Sequence, residues 1–284
     1  MQTTDQAPLQ KLIRHLTFPL LAATLLMGNP KAANAQTVLF NDGDFNDFPT
    51  GWVISAPSGT SIVTLDEAPP GSGNTRSLHL KDDSATEVAS AAVSFSEAYT
   101  GSEGLTIVYD FRALNVMDGN NQSLYSSGLF RVLTGSGTRV LALQASKPPG
   151  GSASALQTWG TGNGNAQENV LITPGEWYRV TITLPGTGLE QGRYTVSLDG
   201  LDGAPIHSYT TPYPRIDSFS FTGTLSNIPD YAQLVFSSDY GVAPVADIRY
   251  TNINATVVPE PSAMISLSLF TLGAGWYLKR ARIR

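Results

Sequence analysis

Between residues 36 and 257 the hydrophobic and polar positions alternate in short runs, the period of half-buried strands. Leu105, Ile107, Tyr109 and Phe111 fall on one side of their run; Tyr178, Val180, Ile182 and Leu184 fall on one side of theirs. Eleven such runs predict strands at 61–65, 77–81, 87–95, 105–113, 127–133, 139–144, 177–184, 193–198, 218–222, 232–236 and 246–257. Turn chemistry separates them at Pro69-Pro70-Gly71, Gly135-Ser136-Gly137, Pro148-Pro149-Gly150-Gly151, Pro185-Gly186 and Asp199-Gly200. No 3.6-residue period interrupts them. This many short strands in one stretch predict a single all-β domain, a jelly-roll β-sandwich spanning 36–257.

At both ends the pattern changes. Lys11, Arg14 and His15 precede an apolar run from Leu16 to Met27, and Ala33-Asn34-Ala35 then offers a small-x-small cleavage site before Gln36. Residues 1–35 therefore read as a Sec signal peptide, which makes the Sec translocon and signal peptidase partners. Residues 258–284 hold three parts in order: Val258-Pro259-Glu260-Pro261-Ser262, an apolar run from Ala263 to Leu278, and a basic end with Lys279, Arg280, Arg282 and Arg284. Pro259 and Pro261 keep the segment around Glu260 extended. The apolar run has sixteen residues. As a helix it would span roughly 24 Å against a hydrocarbon core of ~30 Å. Snorkelling Lys and Arg stems make up part of the difference and hold the tail on the cytoplasmic side. This predicts a single C-terminal transmembrane helix with the body outside.

Handle, short span and basic terminus together resemble the PEP-CTERM sorting signal. The resemblance covers Pro259, Glu260, Pro261 and the tail to Arg284. It implies recognition by an exosortase-type transpeptidase in the inner membrane, a transient stay there, and release to the cell surface or extracellular matrix of a Gram-negative bacterium that makes extracellular polysaccharide. The other reading of the same residues is a permanently membrane-anchored structural protein.

Charge and composition narrow the partners. The end segments hold seven of the 17 Lys and Arg and two of the 23 acids, so the body carries a net charge near −11. That opposes nucleic acid as a partner. With no cysteine in the chain, disulfide scaffolds and thiolate metal sites are excluded.

A second resemblance spans most of the body. Phe40, Asp44-Phe45 and Gly51-Trp52, then Gly175-Glu176-Trp177-Tyr178-Arg179-Val180, Tyr194 to Gly200, Phe219-Ser220-Phe221 and Asp247 to Ile253 resemble concanavalin- or laminin-G-like jelly rolls of exported bacterial proteins. It implies that the Trp177-led strand pairs with the Tyr194 strand and that 247–253 forms the closing strand.

No catalytic motif is found. No Glu is followed two positions later by Asp, the paired-carboxylate signature of glucanases on this fold. His79 and His207, the two histidines of the body, lie far apart in sequence and read as ordinary strand or surface residues. Neither a nucleophile elbow nor a Walker loop occurs. The cluster Gly160 to Gly164 reads as a loop. These absences favour a non-catalytic protein, with a polysaccharide-acting hydrolase or lyase as the alternative.

Two binding sites are predicted. Trp159, with Asn163 and Asn165 close by in the Gly/Ser/Asn-rich stretch 148–167, has the ring and amides of a carbohydrate site; the same ring could simply fold over the sandwich edge. Trp52 and Trp177 start apolar strands and read as core. Asp42, Asp44 and Asp47 crowd hard oxygen ligands onto one segment, and Asp247 near the last strand could complete a structural calcium site. Such a cluster is also ordinary turn chemistry.

Overall fold

The structure, a computed structural model, describes residues 38–42, 51–84, 86–117, 123–125, 128–146, 154–160, 169–208, 213–238 and 246–258. Its first strands are β1 (Val38–Asp42), β2 (Trp52–Ser55), β3 (Thr60–Leu65), β4 (Ser77–Asp82), β5 (Ser90–Tyr99), β6 (Gly104–Ala113), β7 (Asn115–Met117), β8 (Ser123–Tyr125), β9 (Gly128–Leu133) and β10 (Arg139–Ser146). There follow β11 (Ser154–Gly160), β12 (Asn169–Ile172), β13 (Trp177–Leu184), β14 (Gln191–Gly200), β15 (Ile206–Ser208), β16 (Arg215–Ile216), β17 (Ser218–Ser226), β18 (Tyr231–Ser238) and β19 (Ala246–Val258). All eleven expected strands are present, β13 with the expected bounds.

The strands form two large sheets with antiparallel neighbours. One has eight strands in the order β17-β14-β13-β6-β19-β4-β3, with β1 also on β19; the other has nine, in the order β16-β15-β12-β11-β10-β9-β18-β5-β2. β13 pairs with β14, and β19 is the closing strand, both as the resemblance implied.

Alternation explains how the sheets face each other. Leu105, Ile107, Tyr109, Phe111, Tyr178, Val180, Ile182 and Leu184 are all 2% exposed or less. The centre of the core is aromatic. Tyr109 and Tyr250 come from one sheet, Phe130 and Phe236 from the other, with ring centroids 4.7 Å apart for Tyr109–Phe130 and 4.8 Å for Phe236–Tyr250. Each such ring contributes about 1.5–3 kcal/mol through burial, plus a smaller term from its tilted or edge-on packing. Trp52 packs half-buried against Phe236, centroids 5.9 Å apart. Trp177 is buried, but on the opposite side of β13 from Tyr178 and outside the core cluster. Its burial agrees with the core reading, although alternation along β13 turns residue 177 away from the facing sheet.

Two further expectations change. The stretch 148–167, which shows no strand pattern, contains β11, and Gly160, the first residue of the cluster that reads as a loop, is its last; pairing with β10 on one side and β12 on the other makes it a strand. Asp199-Gly200 is the end of β14 rather than a turn, and the chain turns just after it at Leu201–Gly203.

β19 is the spine of the eight-stranded sheet. It pairs with β6 on one side; on the other, 246–250 pair with β4 and 253–256 with β1. The change of neighbour falls at a register break, where Asn252 has φ 54. Asn tolerates the left-handed region better than most residues, which makes it suited to the bulge. The far end of β19, Val258, pairs with Gly104 and immediately precedes Pro259 in sequence.

Candidate functional site

Register determines what the eight-stranded sheet carries on the face turned away from the core. One row crosses five strands: Val63, His79, Arg249, Arg112 and Trp177, each opposite the next. The next row, toward Val258, runs Thr251, Asp110, Arg179, Asp199 and Ser218. Directly opposed side chains in antiparallel pairs lie about 4.5–5.5 Å apart at Cβ. The topology thus gathers three arginines, a histidine and two aspartates that are scattered in sequence.

Asp110 is fully buried although it belongs to the outer face. Arg179 donates to it twice, Nε to Oδ1 at 2.7 Å and Nη2 to Oδ2 at 2.9 Å. Asn252 adds its Nδ2 at 3.4 Å, a contact the left-handed bulge makes possible. Hydrogen bonding to Asp110 raises the Arg179 pKa above the ordinary arginine value; burial opposes this, and the charges of Asp110 and Asp199 reinforce it. Such a bidentate pair is among the stronger charge-assisted hydrogen bonds.

The β3–β4 connection lies over this face. Glu67 accepts from Arg112 Nη1 at Oε1 and from Arg249 Nη1 at Oε2, and Arg112 Nε donates to the Gly175 carbonyl at 2.6 Å. Further along, Arg76 Nε pairs with Asp66 at 2.8 Å, and Thr251 Oγ1 donates to the Arg76 carbonyl at 2.9 Å. His79 Nε2 meets Asp247 Oδ1 at 2.7 Å. Each of Glu67, Asp110 and Asp247 is therefore held by a basic side chain or an imidazole. The arrangement fixes a connection onto a sheet and leaves polar groups at the surface, with the Arg179 side chain 37% exposed. It lies toward the Ala246 end of β19, since Arg112 is eight residues along β6 from the Gly104–Val258 pair. That is roughly 27 Å at strand rise.

The residues singled out from sequence fall differently. Trp159 lies in β11 opposite Ala142 of β10. Asn163, Asn165, Asp44 and Asp47 lie outside the described residues, as do Ala33, Ala35 and Gln36 and the whole tail from Pro259 through Lys279 to Arg284. Asp42 and Asp247 are not brought together. Asp42 pairs with Ile253, six positions along β19 from Asp247, so the two are about 20 Å apart along the strand. Calcium oxygens sit at 2.3–2.6 Å from the ion, so one ion cannot use both. Asp247 serves His79 instead. Among the described residues no group of three or more His, Cys, Asp or Glu converges as a metal set. No helix among them is long and apolar enough to cross a membrane.

Sequence reading missed the charged face because its partners come from five strands and a connection. Alternation alone assigns Asp110 and Arg112 to the polar side of β6 and Arg179 to that of β13. Only the register adds Arg249 and His79, and nothing local points to Glu67.

No family model and no curated protein matches the chain. Solved structures resemble it in fold. A carbohydrate esterase from Shiga toxin-encoding bacteriophage phi24B is 14% identical, with 79% of this chain and 100% of that one covered and a TM-score of 0.47. Lectin II from Ulex europaeus is 11% identical, with 78% and 98% covered and a TM-score of 0.48. The PL-14 alginate lyase from Aplysia kurodai is 10% identical, with 78% and 100% covered and a TM-score of 0.48. Likeness at this level carries no argument about ligand or activity, and the two-sheet architecture rests on the strand pairing itself.

Proposed function

We propose that this is an exported cell-surface or extracellular-matrix protein, sorted at its C-terminus by an exosortase-type transpeptidase, whose jelly-roll ectodomain binds carbohydrate without catalysing a reaction. The observation that carries the reading is the ordered tail: Pro259-Glu260-Pro261, a short apolar span and a basic terminus. The end of the fold agrees with it. β19 runs as paired strand to Val258, so the handle begins at the next residue with no linker between. The signal-peptide pattern ending at Ala35 supplies the export that such sorting requires.

The carbohydrate part draws on Trp159, in the strand that leads toward Asn163 and Asn165. Aromatic faces stack on apolar sugar faces while amides take the hydroxyls. A structural calcium fits the segment of Asp42, Asp44 and Asp47, without Asp247.

A second reading, a polysaccharide-acting enzyme on this fold, has one observation in its favour: His79 paired to Asp247 beside Arg249 on the outer face. Imidazole oriented by a carboxylate is the make-up of a general base. Release of reducing ends from a polysaccharide by the purified protein would favour it over the binding reading.

The sorting claim is tested by Glu260→Ala expressed in the native host. Export and removal of the signal peptide continue, while the tail stays on, read as a mature mass larger than wild type by the tail segment. A mass unchanged from wild type would sink the recognition of Glu260.

A further inference from the structure

The outer edge of the eight-stranded sheet at β17 is long, regular and uncharged. β17 pairs with β14 in unbroken register over all nine residues, Ser218 to Ser226. Among the described residues no strand pairs with its other side. Its sequence, Ser-Phe-Ser-Phe-Thr-Gly-Thr-Leu-Ser, contains no charge and no proline. Soluble proteins ordinarily protect such edges with charge, proline, bulges or short strands. Two other edges are protected by their shortness: β16 has two residues and β2 has four. On β17, Ser218, Ser220, Thr222, Thr224 and Ser226 are exposed, and Phe219 and Phe221 are half-buried at the open rim of the core.

We propose that β17 is a self-association edge, at which a second copy of this chain adds antiparallel through its own β17 about a two-fold axis at Thr222. The small hydroxyl residues at 218, 220, 222, 224 and 226 are symmetric about that residue. Antiparallel pairing there sets Ser218 against Ser226, Phe219 against Leu225, Ser220 against Thr224, Phe221 against Gly223, and Thr222 against itself. Small hydroxyl side chains meet on the outer face, and on the inner face the half-buried Phe219 and Phe221 come opposite Leu225 and Gly223 of the second copy. Charge points to the same place. Two bodies of net charge near −11 repel each other broadly, and the side chains that meet on this edge are all neutral. A two-fold contact of this kind closes on itself and gives a dimer with one continuous sheet across it. The inference does not depend on the sorting tail or on a sugar ligand.

Because the chain has no cysteine, single-cysteine variants report this register directly. Opposed Cα atoms in antiparallel strands lie about 4.5–5.5 Å apart, within disulfide range. The exported protein carrying Thr222→Cys, oxidised with copper-phenanthroline, is expected to run as a covalent dimer on a non-reducing gel. Ser218→Cys alone should not, since eight residues separate it from Ser226, roughly 27 Å along the strand. The double variant Ser218→Cys/Ser226→Cys should recover the dimer. The crosslinked fraction of Thr222→Cys is expected to exceed that of Ser218→Cys by about tenfold. Circular dichroism matching wild type confirms that the variants fold, since all three positions are exposed. Light scattering of the cysteine-free protein at the same concentration should give twice the mass of one copy. A monomeric mass, an uncrosslinked Thr222→Cys, or equal crosslinking of the two single variants would overturn the proposal.

Discussion

Four tyrosines inside the sandwich carry its clearest response to pH. Burial raises the pKa of Tyr109, Tyr178, Tyr231 and Tyr250 above the ordinary value of 10.0. Each is held as the neutral phenol, and the Tyr178 and Tyr231 hydroxyls donate to the carbonyls of Pro205 and Pro185 at 2.9 and 2.8 Å. Above pH 10 the unfolded chain binds fewer protons than the folded one, so stability falls as pH rises. It is fully present below the unfolded value and is lost through the raised folded values, at up to about 1.4 kcal/mol per pH unit for each tyrosine. Alkaline titration followed by phenolate absorbance should show these four ionising together with loss of the near-ultraviolet dichroism. Gradual titration near pH 10 with the fold intact would contradict their burial. At this scale the sequence was informative about faces and silent about partners. Alternation marked Tyr109 and Tyr178 as inward and Asp110 as polar, yet Asp110 is fully buried because Arg179 and the bulge residue Asn252 close over it.

Strands with clear alternation were legible as elements, and strands made by their neighbours were not. β6 and β13 announce themselves through four apolar positions each at period two. β11, with only Ala155, Leu156 and Trp159 apolar, shows no clean alternation and is a strand because β10 and β12 hydrogen-bond it from both sides; β15 and β16 are too short to show a period. Register was equally hidden: composition suggests Asp247 beside Asp42, whereas strand pairing sets it beside His79. Turns fared better where glycine is required. In the β9–β10 hairpin, Gly137 has φ +80 and donates to the Thr134 carbonyl at 2.9 Å. At the β13–β14 connection a side chain on Gly186 would collide with the Ser102 carbonyl, while Thr187 donates to the Gly101 carbonyl at 2.9 Å. Gly186→Ala must push these two segments apart, at a cost of about 1–3 kcal/mol. A urea midpoint lowered to match is expected; an unchanged midpoint would mean the two segments are not packed this closely.

For the whole molecule, the fold explains where function can reside more than what it is. The charged face of His79, Arg249, Arg112, Asp110 and Arg179 lies toward the Ala246 end of β19, and the handle follows the opposite end at Val258. β17 runs alongside as an edge at which copies can join. All-β architecture was legible because eleven alternating runs can pack in few other ways. The sorting proposal rests on three dissimilar parts in fixed order from Pro259 to Arg284. Ligand chemistry was not legible, since it depends on which strands lie side by side.

Intact mass spectrometry of the protein from its host's envelope and medium tests the central claim most directly. The account predicts a species beginning at Gln36 and ending at the Pro259–Pro261 handle, found at the surface or in the medium. A species retaining Arg284 and confined to the inner membrane would contradict it, leaving a membrane-anchored sandwich in place of a sorted one.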